Sequence, residues 1–137
     1  MLKVVFDTNV VVSAALYEKS LPALLLSLGL KDKVRFFVSP ALLNEYEAVL
    51  KRPRFKLGQR QITELMGKIN RKALIVIPPK RIKIVKADEP DNRVLECAIK
   101  AKADFIITGN KRHFPFDQFK GSKIVTPREF INSISEL

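Results

Sequence analysis

The sequence predicts an α/β fold with a mostly parallel sheet covered on both faces. Three observations carry this: short apolar runs rich in β-branched residues, amphipathic stretches between them, and cap-plus-proline signals where strands give way to helices. Lys3–Phe6 (KVVF) has the composition of a buried strand, and Asp7-Thr8-Asn9 follows as a turn. A helix is expected from Val10 to Leu16 and another over Leu21–Leu30, ended near Gly29. Val34–Val38 (VRFFV) predicts the second strand. Ser39-Pro40 supplies an N-cap and a proline at the first helical position. The helix they open, Pro40–Lys51, lines up Leu42, Leu43, Tyr46, Val49 and Leu50 on one stripe, and Arg52-Pro53-Arg54 stops it.

Gln59–Lys72 predicts a helix with Ile62, Leu65, Met66 and Ile69 inward. Leu74–Ile77 and Ile82–Val85 are short apolar stretches either side of Pro78-Pro79, and the pattern leaves open whether either joins the sheet. Asp91–Lys102 predicts a helix with Val94, Leu95, Ala98 and Ile99 inward. Phe105–Thr108 is expected as a strand, Gly109-Asn110 as a turn and Lys123–Val125 as the final strand. Thr126-Pro127-Arg128-Glu129 combines a capping box with a proline at the first helical position and opens the last helix. Strands separated by helices call for right-handed crossovers.

A chain of 137 residues fits one domain, 1–137, able to bury a core without disulfides or structural metal. No apolar run reaches the length of a membrane span. The opening MLKVVFDTNVVVSAAL carries Lys3 and Asp7 and does not read as a signal peptide, so a cytoplasmic location with no membrane partner is expected. The single cysteine, Cys97, and the single histidine, His113, have no zinc-type spacing and read as structural or incidental. Lys plus Arg is 25 against 14 Asp plus Glu, a net charge of +11. Such a field captures polyanions, though a solvated basic surface accounts for it equally well.

Acidic residues are the informative minority. In an open parallel sheet, functional groups gather beyond the carboxyl ends of the strands. Asp7 directly follows the first strand, Asn110 follows Phe105–Thr108, and Asp88 and Asp91 begin the Asp91 helix. Glu45 lies three residues after Leu42 and four before Val49, on the apolar stripe of its helix. A carboxylate there needs a basic partner or a metal. Singly, Asp7 as a turn residue, Asp88 as a turn and Asp91 as a helix cap are ordinary structural readings. Jointly, acids converging on one edge of a basic protein repel unless a cation sits among them, and hard oxygen donors suit Mg²⁺ or Mn²⁺.

Four segments, VVFDTNVVVSA, SPALLNEYEAVL, DEPDNRVLECAIKAKADFIITGN and KIVTPREFI, together resemble the PIN-domain family, most of all its VapC-like branch of toxin components. The resemblance implies a three-layer α/β/α sandwich, metal-dependent ribonuclease activity, a homodimer and an antitoxin protein as partner. By position it implies catalytic and metal-binding roles for Asp7, Glu45 and Asp91, with Asp88 as a helper. It implies orienting roles for Thr8, Asn9 and Thr108, and it places Asn110 where many members carry a fourth acid. An amide oxygen is a weaker ligand for a hard cation, which puts a second metal in doubt. Basic candidates for the RNA backbone are Lys111 and Arg112, beside Asn110, and Arg52 and Arg54.

Rival readings fare less well. A haloacid-dehalogenase-type phosphatase wants a second Asp two residues after the first, where this chain has Asn9. A receiver domain wants further acids near strand one. A non-catalytic RNA-binding or partner-binding module of the same fold stays open.

Overall fold

The computed structural model describes residues 1–79, 81–82 and 89–135, with Glu89 described in its backbone alone. Its elements are β1 (Lys3–Phe6), α1 (Thr8–Leu16), α2 (Leu21–Leu30), β2 (Arg35–Val38), α3 (Pro40–Leu50), α4 (Gln59–Lys72), β3 (Leu74–Ile75), α5 (Glu89–Ala101), β4 (Phe105–Ile107), β5 (Gln118–Phe119), β6 (Ser122–Val125) and α6 (Pro127–Ser135). The strands order as β3-β2-β1-β4-β6-β5. All neighbours run parallel except the β5–β6 pair. Chain order reverses across β1 and β4, so their carboxyl ends frame the crevice where ligands bind in such sheets.

Strand periodicity shows why both faces are covered. Val4 pairs with Phe36 and with Phe105, which puts these residues on one face together with Phe6. There Gly29 of α2 meets Phe36 so closely that an added Cβ would lie 3.1 Å from it. Phe130 of α6 meets Phe105 edge-on at 5.2 Å on that same face. Val5, Phe37 and Ile106, on the opposite face, are equally buried. The helix packed on β1, β2 and β4 from that side is α5, with α3 against it. This is the three-layer sandwich.

The cap signals act as expected. Ser39 Oγ accepts from Leu42 N at 3.1 Å. Thr126 and Glu129 exchange reciprocal bonds of 2.9 and 3.1 Å. The Thr126 amide, and Lys111 beside it, hold the Glu129 carboxyl below its usual range. Asp7 and Thr8 differ from expectation: the helix begins at Thr8, not Val10, because the Asp7 carboxylate takes the N-cap and accepts from Thr8 N. Ile99 is also a correction: it is 38% exposed, while Cys97 is fully buried. Sandwiched between sheet and α3, α5 is buried at every residue from Asp91 to Ala98, and Ile99 is where its outer side emerges. Leu74–Ile75 joins the sheet as an edge strand beside β2, whereas most of Ile82–Val85 lies outside the described residues. The two-residue antiparallel strand β5 carried no sequence signal.

No single described helix is long and apolar enough to cross a membrane. One buried bond ties the helical layer to the tip of β1: Tyr46 of α3 donates its hydroxyl to the Phe6 carbonyl at 2.5 Å. Burial above all, with the Asp7 charge adding to it, pushes this phenol well above its usual pKa, so it stays a donor. Tyr46→Phe would leave that buried carbonyl without its donor, so a loss of about 1–3 kcal/mol of unfolding free energy is expected, read as a lower urea midpoint. An unchanged midpoint would show the bond to be dispensable.

Candidate active site

Asp7 is the first fixed point. Its amide donates to Ile107 O at 2.9 Å, continuing the β1–β4 ladder one residue past the strand. Its side chain, on a residue only 3% exposed, is held from three directions. Oδ1 accepts from Thr8 N at 2.8 Å. Oδ2 accepts from the Thr108 hydroxyl at 2.7 Å and from Asn9 Nδ2 at 3.3 Å.

Thr108 and Asn9 are themselves fixed. Thr108, fully buried at the end of β4, accepts from Asn110 N at 3.1 Å. Asn9 Oδ1 accepts from Gly109 N at 2.8 Å. A Cβ on Gly109 would lie 3.2 Å from that oxygen, so glycine permits the close approach. Thus Thr8, Asn9 and Thr108, expected to orient Asp7, all bond to it.

The other acids reach the same place from different elements. Asp91 sits in the first turn of α5 and is 3% exposed. Glu45, half-buried, projects from α3. Asp7, Glu45 and Asp91 line one cavity of about 520 Å³, with Arg52 and Arg54 among its walls. Asp88 lies outside the described residues. Among the described residues, no three acidic, histidine or cysteine side chains are gathered closely enough to hold an ion on their own.

The remaining sequence candidates lie apart. Asn110 caps a short 3₁₀ turn over Lys111–His113 and accepts from Arg112 N at 3.2 Å. Lys111 is turned to Glu129 of α6 at 3.3 Å, and neither it nor Arg112 lines the cavity. One residue that sequence reasoning set aside does line it: His113. Its Nδ1 lies 3.5 Å from Asp91 Oδ2, and its Nε2 lies 3.0 Å from Asn110 Nδ2. The available signal was its place three residues after Asn110. Behind the acids, burial pushes the Cys97 thiol up to about 12, which keeps it neutral and unreactive.

The donor set fits a hard cation in chemistry: buried carboxylates on separate elements, facing a shared cavity. Mg²⁺ is commonly held by one or two carboxylates with waters and substrate phosphate completing its shell, so a three-ligand cage is not required.

Comparison with known proteins shows the family. The uncharacterized protein MJ1680 of Methanocaldococcus jannaschii is 30% identical over 146 aligned positions, covering 98% of this chain and 93% of that one. The PIN domain pattern matches residues 3–112, a span that includes Asp7, Glu45 and Asp91. PIN domains are nuclease-type folds that typically use divalent metals such as Mg²⁺, and this chain belongs to the PIN-domain family.

Proposed function

We propose that this protein is a ribonuclease that hydrolyses RNA phosphodiester bonds with Mg²⁺ or Mn²⁺. The observation that carries the reading is the shared cavity, which Asp7, Glu45 and Asp91 line and whose walls also include Arg52 and Arg54. In this reading Asp7 and Asp91 hold the ion, with Asp88 as a helper, and Glu45 binds the ion or orients the attacking water. A divalent ion supplies two things there: it lowers the pKa of water and it offsets phosphate charge. The protein's own residues do the rest. Thr8, Asn9 and Thr108 fix the Asp7 carboxylate before substrate arrives, so little reorganisation is needed during reaction. Arg52 and Arg54 attract the RNA backbone, and Lys111 and Arg112 add to the basic field around it.

The test is a panel of RNA and DNA substrates with Mg²⁺, with Mn²⁺ and with chelator. RNA cleavage that chelator stops and either ion restores is expected. Cleavage indifferent to chelator, or none with either ion, would overturn the reading.

From the VapC-like resemblance we also infer a homodimeric toxin held in check by an antitoxin protein. Expression of the parent, and not of Asp7→Asn, is then expected to arrest growth. Unimpeded growth with an active nuclease would exclude the toxin role. A second reading, an inactive RNA-binding or partner-binding module, draws on Asn110 at the fourth acidic position, and the same panel separates it.

A further inference from the structure

The cavity extends well past the acids. Its lining from α1 recurs as Asn9, Ser13 and Tyr17, at the four-residue spacing of one helical face. From α3 and beyond come Glu45, Val49 and Arg52. The cavity is therefore a groove along α1, from its N-cap, Asp7, to its C-cap, Tyr17. At the α-helical rise those caps stand roughly 15 Å apart.

The far end has a different chemistry. Tyr17 is 64% exposed and lines the groove, so its ring is open to a ligand there. The 3₁₀ turn Pro53–Phe55 brings Phe55 into the wall of the same groove. The Arg54 guanidinium lies over the Phe55 ring, 4.8 Å from its centre. A flat cationic plate and an exposed aromatic ring thus share the rim of one groove. Neither Tyr17 nor Phe55 has a part in holding the carboxylates.

We propose that Tyr17, Phe55 and Arg54 form a nucleobase-binding subsite, which takes one unpaired base of a single strand whose cleaved phosphate lies at the acidic end. Rings and guanidinium planes are the surfaces on which unstacked bases rest, while arginines beside them follow the phosphates. A base within a duplex is already stacked and does not enter. This inference rests on the ribonuclease reading and adds to it where the substrate is gripped away from the chemistry.

The test is binding, measured by fluorescence anisotropy in chelator so that nothing is cut. The probes are a short single-stranded RNA, the same strand with one abasic position moved along it, and the paired duplex. Tyr17→Ala is expected to weaken single-strand binding roughly five- to one-hundred-fold, and Tyr17→Phe to retain it. Phe55→Ala acts in the same direction, but exposed Tyr17 is the cleaner site because its loss leaves no hole in the core. One abasic position is expected to cost the parent a similar factor and Tyr17→Ala almost nothing further, because both remove the same contact. With metal added, Tyr17→Ala raises KM for cleavage and leaves kcat near the parent value.

Tyr17→Ala and Phe55→Ala binding every probe as the parent does, while the parent still cleaves RNA, would remove the subsite and leave the ribonuclease standing. That is also what a groove built for a peptide would give. Equal affinity for duplex and single strand would likewise overturn it, since the arginines alone would then account for binding. A parent that neither binds nor cleaves RNA overturns both readings.

Discussion

Asp7→Asn is expected to lower the rate of RNA cleavage by about a thousandfold or more while leaving the fold intact. The size follows from what is removed. A metal-held charge offset is worth several kcal/mol of barrier, and each 1.36 kcal/mol is tenfold in rate. The fold is expected to survive because the amide keeps the shape of the carboxylate. Its oxygen still accepts from Thr8 N, and the Thr108 hydroxyl can turn to accept from the new NH₂. One contact becomes unfavourable, that with Asn9 Nδ2, now donor against donor. The checks are initial rates on a purified RNA substrate, with circular dichroism and a urea midpoint on the same preparations. A variant that cleaves as fast as the parent would remove Asp7 from the chemistry.

The second large effect concerns stability. Arg93 and Glu96 of α5 form an ion pair of 2.9 Å with side chains only 8% and 6% exposed. Both also grip Ile82: Glu96 Oε2 accepts from its amide at 2.7 Å, and Arg93 Nη2 donates to its carbonyl at 3.0 Å. The pair therefore pins the chain that precedes α5 against the helix that carries Asp91. Charges taken out of water are costly, and removing one partner of such a pair typically destabilises by about 3–5 kcal/mol. Glu96→Ala is expected to lose that much, lowering Tm by roughly 10–20 °C for a chain of this size. Replacing both, as Arg93→Met with Glu96→Leu, should recover part of the loss, because the two charges of this pair leave together. Glu96→Ala within about 0.5 kcal/mol of the parent would show that the pair is not the clamp described, since that is the range of ordinary surface substitutions.

Much of this architecture was legible in local pattern. Lys3–Phe6, Leu21–Leu30 and Gln59–Lys72 form with the bounds their apolar spacing implies, because each carries its own period and its own stop signal. Glu45 stood out for a related reason: an acid on an apolar stripe needs a basic partner or a metal, and Glu45 lines the cavity. Residues whose meaning depends on distant partners were not legible. His113 looked idle because Asp91 is 22 positions away in the chain and adjacent only once the Asn110 turn folds back. The Arg93–Glu96 clamp was not legible, since nothing local says that Ile82 meets these two residues. Ile99 misled in the opposite sense, because a helix buried almost all round has no single apolar stripe to find. Tyr17 and Phe55 fall in the turns that follow α1 and α3, where periodicity carries no information and only the shared groove relates them.

The central claim is that Asp7 and Asp91 together bind a hard divalent cation, and the most direct measurement is a Mn²⁺ titration by calorimetry of the parent, Asp7→Asn and Asp91→Asn. The account predicts saturable binding by the parent that either substitution abolishes or weakens severely. Isotherms that match across all three proteins, or no saturable binding by the folded parent, would contradict it.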